Sequence, residues 1–376
     1  MRKFIMIGCD LHEDSIVLRI AEDRKEPELK NWRNSAAGRK AMLADLQRRA
    51  KACGNAGIVF AYEASSQGFG LYDQLTDAGV EAYVVAPTRV PRSVRGEAEK
   101  RDERDALDLL ELVRGHVLAG NRMPAVWIPD AQTRDDRELV RMRLSVGEKL
   151  TATKAEVQSL LKRCQLRRPS ASGKGWTKAF RGWLRRMADG TAGSEDALDV
   201  GTRGALGSQL RQLEFLEEEE ERLDKLVDVL AWSARYEARM RELTKLGGVG
   251  VLTAIVFLTE LGDLSRFANR RQIAAYLGLS PTSHESGRQN DRKGHITHQG
   301  STRVRKVLCQ AAWTRVRCHA GEKSVYERIV QRNPKKKKIA VVASMRRLAI
   351  CMWHRGCEAM SREVFRKEAA PRRSRK

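Results

Sequence analysis

The feature that most limits the fold is an alternation of short β-branched runs and helical patterns in the amino-terminal third of the chain. Residues 3–9 (KFIMIGC) and 14–20 (DSIVLRI) are apolar runs joined by a polar turn, which is the pattern of a β-hairpin. The elements that follow are, in order, a helix over about 37–52, a strand over 57–63, a helix over about 68–78 and a strand over 81–86. This order predicts an α/β domain built on a mixed sheet.

A further helical pattern, DERDALDLLELVRGHVL, begins at Asp102 and continues to about Leu118. Acidic residues fill its first turn, where the helix dipole favours negative charge. We place the end of this first domain, residues 1–129, near Pro129.

Two long leucine-containing segments follow, over about 133–166 and 205–245. Their apolar residues recur at the three-four spacing of coiled-coil helices, so residues 130–240 are interpreted as a coiled-coil region. The two segments can pair antiparallel within one chain or across a dimer. Between them, residues 167–204 are rich in Gly, Ser, Arg and Lys without a clean period, and we interpret them as a mobile basic insertion.

A third, mainly helical unit is expected over 241–360. It begins with LGGVGVLTAIVFLTELG and ends with the lysine run 335–338 and an apolar helix over about 338–354. The tail, residues 361–376, is strongly basic and is predicted to be disordered.

The charge of the chain indicates a polyanionic partner. Lys and Arg number 71 against 48 Asp and Glu, a formal net charge of +23 in 376 residues, which favours nucleic acid capture. No run of about 18 apolar residues is available to span a bilayer. The first residues are too polar for a signal peptide, so a cytoplasmic protein is expected. The 7 cysteines include no C-x-x-C pair, which argues against a disulfide framework or a cysteine zinc site.

Four carboxylates stand where α/β domains present functional groups. Asp10 ends the first strand and Glu63 a later one, while Asp102 and Asp105 share one face of a helix. Crowded carboxylates repel one another unless a cation lies between them, and Mg²⁺ or Mn²⁺ prefers such oxygen ligands. Two ions roughly 3.5–4 Å apart can support phosphodiester chemistry. The spacing alone is equally compatible with turn caps and a favourable helix N-terminus.

Three short motifs, GCDLH, AYEAS and KRDERDA, resemble the strand-end Asp, strand-end Glu and K-x-D-x-x-D-A elements of the DEDD transposases of insertion-sequence family one-ten. The related Piv-type DNA invertases share this pattern. A second block, from LGGVGV to STRVRKVL, is similar to the family's helix-hairpin-helix glycines, S-G motif and G-N-x-x-x-R stretch. The resemblance covers about residues 3–350.

The resemblance implies a RuvC-like (ribonuclease H-like) amino-terminal domain, a coiled-coil middle and a separate carboxy-terminal transposase domain. It assigns Asp10, Glu63, Asp102 and Asp105 as catalytic metal ligands for Mg²⁺ or Mn²⁺, and Ser286 of HESG as a nucleophile that forms a covalent phosphoserine. It also implies site-specific recombination guided by a bridge RNA that pairs with donor and target DNA, performed by dimers that meet as a tetramer.

Candidate nucleic-acid contacts surround the second block. Gly248 and Gly250 would let the backbone approach a phosphate, although a plain tight turn explains them as well. The basic residues suited to DNA phosphates are Arg288, Arg292, Lys293, Arg303 and Arg305, each of which is also compatible with a solvated surface charge. His295 and His298 lack a further ligand pair for zinc and fit phosphate contact or solvation better.

Two positions depart from the family pattern. Gly247 stands where Pro is usual, and Ser301 follows Gly300 where Asn is usual. Two other functions also fit the sequence: a RuvC-like endonuclease in which Ser286 has no role, and a non-catalytic basic coiled-coil protein that binds RNA or DNA.

Overall fold

The computed structural model describes residues 3–90, 102–193, 196–283, 293–297, 299–332 and 334–369, with only the backbone given at 283, 293 and 363–369. The chain divides into two compact units, Met1–Ile128 and Pro129–Lys376. Each unit has its own hydrophobic core.

The first unit is built on a five-stranded mixed sheet in the order β3-β2-β1-β4-β5. The strands are β1 (Phe4–Leu11), β2 (Ser15–Glu22), β3 (Glu28–Arg33), β4 (Gly57–Glu63) and β5 (Glu81–Val85). The pairs β1–β2 and β2–β3 are antiparallel, whereas β1–β4 and β4–β5 are parallel. The predicted mixed sheet is therefore confirmed, with one additional strand, β3, at its edge.

Helices cover both faces of this sheet. They are α1 (Ala36–Ala52), α2 (Gly70–Asp77) and α3 (Asp102–Ala119). Because strand side chains alternate between faces, Ile5 and Ile7 of β1 pack in one cluster with residues of α1 and α2, while Met6 packs with residues of α3. Even-numbered positions of β1 thus face α3.

A glycine sets the closeness of α3 to β1. A Cβ atom at Gly8 would lie 2.1 Å from the Ala106 carbonyl oxygen and 2.2 Å from the Leu110 nitrogen, both backbone atoms of α3. No residue with a side chain fits at this position without moving the helix. Gly8 therefore brings the first turns of α3 down onto the strand that carries Asp10.

The second unit is mainly helical, as predicted. Its elements are α4 (Ala131–Arg163), α5 (Lys178–Asp189), α6 (Val200–Ala231), α7 (Glu237–Leu243), α8 (Val251–Leu261), α9 (Arg270–Tyr276), β6 (Pro281–Ser283), β7 (Lys293–Ile296), α10 (Thr302–Cys318), α11 (Ala320–Arg332) and α12 (Lys337–Ala369). Helix α8 is almost entirely buried at the centre of the largest apolar cluster, together with residues of α7, α10 and α12.

The two long helices α4 and α6 pair antiparallel within one chain. Val140 of α4 belongs to the same cluster as Val227 near the end of α6, whereas Val157 clusters with Leu206 near its start. The Arg143 guanidinium also bridges the pair, with its Nε 2.6 Å from Asp224 Oδ1. The intramolecular alternative left open by the leucine spacing is the one observed.

Two segments are more regular than the sequence analysis predicted. Within the segment interpreted as a mobile basic insertion, α5 is a helix that the sequence analysis did not predict. It buries Phe180, Trp183, Leu184 and Met187 on one face that packs against α4 and α6, while the mobility of 167–204 stays a prediction. Helix α12 extends to Ala369, well into the segment predicted to be a disordered tail; residues 370–376 lie outside the described residues. Among the helices described, none is long and apolar enough to cross a membrane.

Candidate catalytic and metal site

Asp10, His12 and Asp102 come together where β1 ends and α3 begins. The His12 Nε2 atom lies 2.9 Å from Asp10 Oδ2 and 3.3 Å from Asp102 Oδ1. One potential ligand atom from each of the three side chains lies within 4.8 Å of the other two. This is the only group of three such residues found in the part of the chain that the structure describes.

The three side chains differ in burial. The Asp10 side chain is 16 % exposed, against 39 % for His12 and 50 % for Asp102. Asp10 therefore forms the inner wall of the group, and Asp102 and His12 form its solvent side. A cation held here would remain accessible to a substrate.

The electrostatics of the group favour a bound cation. Burial raises the pKa of Asp10, and the nearby Asp102 and Asp105 carboxylates raise it further, while His12 acts in the opposite direction. Burial acts to lower the pKa of His12, but Asp10 and Asp102 outweigh it and raise the pKa overall. Carboxylates that disfavour one another's charge are the donor set that a hard divalent cation stabilises.

The remaining two acids lie near this group but are not among its three members. Asp105 is half-buried on α3 and close enough to act on the pKa of Asp10. Because Cys9 pairs with Tyr62 in the parallel register of β1 and β4, Asp10 and Glu63 follow at the same level of neighbouring strands. Both face the α3 side of the sheet, where Glu63 is half-buried.

His12 was missed by the sequence analysis, which treated it only as a letter of the motif GCDLH. The available signal was its position two residues after Asp10, because residues two apart at a strand end point to the same side. The backbone around it is fixed by Asn34, whose Nδ2 donates to the His12 carbonyl oxygen over 2.6 Å.

The first turn of α3 is held in place from β2. Arg19 donates from Nε to the Glu103 carbonyl oxygen over 3.3 Å and from Nη2 to Glu103 Oε2 over 3.2 Å. Together with the close approach at Gly8, these bonds position Asp102 opposite Asp10. Beside His12 lies an open cleft of about 650 Å³, lined by Leu11, His12, Glu13, Asn34, Arg39, Ser65, Ser66 and Gln67.

Several predicted residues of the second block lie outside the described residues: Ser286, Arg288, Arg292 and His298. Lys293 begins β7, and His295 lies exposed on the same strand. Arg303 is exposed on α10.

The glycine turn between α7 and α8 packs against α10. Gly248 has a φ of +84°, and a Cβ there would lie 2.6 Å from the Ala311 carbonyl oxygen, so packing and backbone conformation both require glycine. A Cβ at Gly247 would lie 1.5 Å from His319 Nε2, so the space is taken by the imidazole. By contrast, Gly250 precedes α8 with no atom within 4 Å of its would-be Cβ, which leaves its backbone open.

Ser301 and Arg305 both have structural roles at the start of α10. Ser301 is its N-cap, with Oγ accepting from the Val304 N–H over 3.4 Å. Asn and Ser are comparable N-caps, which accounts for Ser at a position where Asn is usual. Arg305 Nη1 donates to the carbonyl oxygens of Leu277, Gln299 and Gly300 over 3.2, 2.8 and 3.2 Å. These bonds fix the loop before α10, and phosphate contact by Arg305 stays a prediction.

Comparison with known proteins identifies the class. A DEDD transposase family model matches residues 7–165, and a model described as "Transposase IS116/IS110/IS902 family" matches residues 240–327. The protein named "Putative transposase y4qE" of Sinorhizobium fredii is 30% identical over 311 residues, covering 82% of this chain and 71% of the relative. "Putative transposase y4rJ" of the same species is 28% identical over 337 residues, covering 84% and 82%. A pilin gene-inverting protein of Moraxella bovis is 30% identical over 109 residues, covering 28% and 33%.

The chain is therefore a DNA transposase. Its first unit is a mixed sheet with an acidic group at the end of the central strand, and its second unit is mainly helical. The chain belongs to the IS110 family of transposases. The resemblance seen in the motifs is confirmed, and so is the class of enzyme.

Proposed function

We propose that this transposase cleaves and exchanges DNA strands by combining a divalent-cation site in its first unit with Ser286 as the nucleophile. The observation that carries the proposal is the convergence of Asp10, His12 and Asp102 at the junction of β1 and α3. The match of the second block to the family's transposase model supports a role for that block in the same reaction.

The cation is proposed to be Mg²⁺ or Mn²⁺, held by Asp10 and Asp102 with His12 as a further ligand, and with Glu63 and Asp105 completing the acidic surround. When bound, it would stabilise the negative charge that develops on the phosphate during strand transfer. Asp10 is held nearest the sheet, so it fixes the position of the group, while the exposed Asp102 faces the substrate.

The proposed reaction forms one bond at phosphorus and breaks another. The Ser286 hydroxyl loses its proton, its Oγ forms a bond to the phosphorus, and the bond from phosphorus to the 3′ oxygen breaks. The 3′ oxygen takes up a proton and leaves as a free hydroxyl. The covalent phosphoserine keeps the energy of the phosphodiester, so the strand can be rejoined to a new 3′ hydroxyl instead of being hydrolysed.

The first unit is proposed to have a RuvC-like, ribonuclease H-like fold. Its strand order β3-β2-β1-β4-β5, with an acid at the end of the central strand and another on the helix packed beside it, supports this assignment. The α4–α6 pair is proposed to be the coiled coil, and the α7–α8 turn the helix-hairpin-helix.

Site-specific recombination guided by a bridge RNA, within a tetramer of two dimers, is the proposed biological form of this activity. The relative named for pilin gene inversion supports recombination at defined sites. Sequencing the RNA that copurifies with the full chain, and then testing whether it directs exchange between matching DNAs, examines the guidance directly. The absence of a specific RNA would instead favour recognition of DNA by the protein itself.

The metal site is tested by Asp10→Asn with Asp14→Asn as the matched control. Asp14 is an exposed aspartate in the turn just beyond β1, so the control makes the same chemical change a few residues away. Asp10→Asn is expected to abolish strand cleavage while nucleic-acid binding is retained, and Asp14→Asn to leave both intact. Unimpaired cleavage by Asp10→Asn would refute the metal role.

The nucleophile is tested by Ser286→Ala in a strand-exchange assay with denaturing gels to detect covalent protein–DNA adducts. We expect neither adduct nor exchange. Cleavage without an adduct in the unaltered enzyme, together with full activity of Ser286→Ala, would instead identify a metal-dependent endonuclease.

A further inference from the structure

A basic cleft lies between β7 and the start of α12, in the second unit. It has a volume of about 730 Å³ and is lined by Gly294, His295, Pro334, Lys335, Lys336, Lys337, Lys338 and Ile339. The four lysines are consecutive and all exposed, and the last two form the first turn of α12. We call this feature the lysine cleft.

The lysine cleft concentrates positive charge. Within the described ranges, Lys335–Lys338 form no ion pair within 4 Å, whereas Lys323 of α11 pairs with Glu327 and Arg347 of α12 pairs with Glu322. Neighbouring ammonium groups repel one another, and the positive end of the α12 dipole adds to the same potential. This arrangement is unfavourable in the free protein and becomes favourable when a polyanion is bound.

The number of lysines in the cleft favours several phosphates over one small anion. All four lysines line the same cleft, whereas a single phosphate can contact one or two ammonium groups, so several phosphates of one strand would be needed to pair with all of them. Lysine is a compact point charge that binds phosphate without reading the bases. The exposed imidazole of His295 lines the same cleft and offers a further nitrogen to a phosphate oxygen.

We infer that the lysine cleft binds the phosphodiester backbone of the DNA substrate, independently of sequence. DNA is the polyanion on which a transposase acts, and β7 belongs to the hairpin whose connecting segment, 284–292, contains Ser286. That the bound strand is the one that undergoes attack rests on the proposed role of Ser286 as the nucleophile. The lysines then hold the DNA strand next to β7, which follows the segment of Ser286 in the sequence, and take no part in the chemistry.

The test compares DNA affinity of two full-length variants that each lose four positive charges. One carries Lys→Gln at 335, 336, 337 and 338. The control carries Lys→Gln at the exposed lysines 25, 225, 245 and 323, each of which pairs with a nearby carboxylate. A third variant, with Lys→Arg at 335–338, keeps the charge. Binding is measured with a short DNA duplex of arbitrary sequence, with EDTA present so that no strand is cut, and separately with transfer RNA.

At about 0.1 M salt the cleft variant is expected to bind the duplex at least about tenfold more weakly than the control. The slope of log affinity against log salt concentration should also become shallower, by the amount that corresponds to about two to three lost phosphate contacts. The Lys→Arg variant should bind like the unaltered chain. Equal DNA binding by the cleft variant and the control would overturn the inference, as would a loss confined to the RNA. Circular dichroism checks that each variant is folded.

The result of the DNA-binding comparison can be distinguished from a test of Ser286 as the nucleophile. The binding assay does not require Ser286 to react, so it is also run on Ser286→Ala, which should bind DNA normally. If Ser286→Ala exchanged strands at full rate, the nucleophile assignment would fail while the affinity comparison of the lysine cleft remained valid.

Discussion

Replacing Gly8 by Ala should damage the acidic site without touching any of its side chains. The added Cβ would lie 2.1 Å from the Ala106 carbonyl oxygen, so α3 must retreat by about 1.3 Å to reach an ordinary contact of 3.4 Å. Because the three nearest atoms all belong to the α3 backbone, no side chain can rotate away to relieve the contact. Overpacking of this kind costs about 1–3 kcal/mol, and we expect the upper end, about 3 kcal/mol.

The same displacement moves Asp102, the first residue of α3, away from Asp10. A misplacement of about 1 Å in a reacting geometry can reduce a rate about 100-fold. Gly8→Ala is therefore expected to lower the free energy of unfolding of the first unit in urea and to slow strand cleavage about 100-fold, even at temperatures where the protein remains folded.

Gly70→Ala is the matched control. Gly70 begins α2 in the same unit, and its would-be Cβ meets only Arg39 Nη1 at 4.0 Å. Alanine at a helical position costs nothing relative to glycine and stabilises by up to about 1 kcal/mol. If Gly8→Ala matched Gly70→Ala in stability and cleavage, the argument that Gly8 sets the distance between α3 and β1 would be refuted.

His12→Ala should reduce metal-dependent cleavage about 10–100-fold. The loss should be smaller than for Asp10→Asn, because His12 contacts both acids of the group but is less buried than Asp10. A cleavage rate equal to that of the unaltered enzyme would show that His12 is not part of the site. Burial acts to raise the pKa of Glu260, but the hydrogen bonds and charge of Arg141 and the charge of Arg137 lower it overall. Glu260 therefore contributes stability that is fully present above its unfolded pKa and is lost as the pH falls through the lower pKa of the folded state. Glu260→Gln should therefore destabilise the chain by about 3 kcal/mol near pH 7 in urea unfolding, and that difference should shrink below about pH 4.

Helices and strands with a strong apolar periodicity could be predicted from the sequence. Elements whose conformation depends on packing or pairing with neighbouring elements could not. The runs that became β1, β2 and β4 carry enough buried apolar residues to be recognised alone. Strand β3, ELKNWR, has no buried residue, and its conformation follows from pairing with β2 at the edge of the sheet. Helix α5 does carry an apolar face, but the preceding RRPSASGKG favoured an irregular segment, and only packing against α4 and α6 supplies its stability.

At the candidate site, the motif residues could be predicted from the sequence, but the contacts that bring them together could not. The strand-end positions of Asp10 and Glu63 and the helical position of Asp102 could be predicted from the sequence, because apolar periodicity indicates strand ends and the first turn of a helix. Their convergence depends on the missing side chain of Gly8 and on Arg19 reaching across to Glu103, and neither Gly8 nor Arg19 has a side chain that can bind a metal ion. Ser301 shows the converse: a departure from the motif letter leaves the physical role intact, since Ser caps α10 as Asn would. A substitution in this family is thus better judged by the backbone contact that it keeps or breaks than by its agreement with the motif.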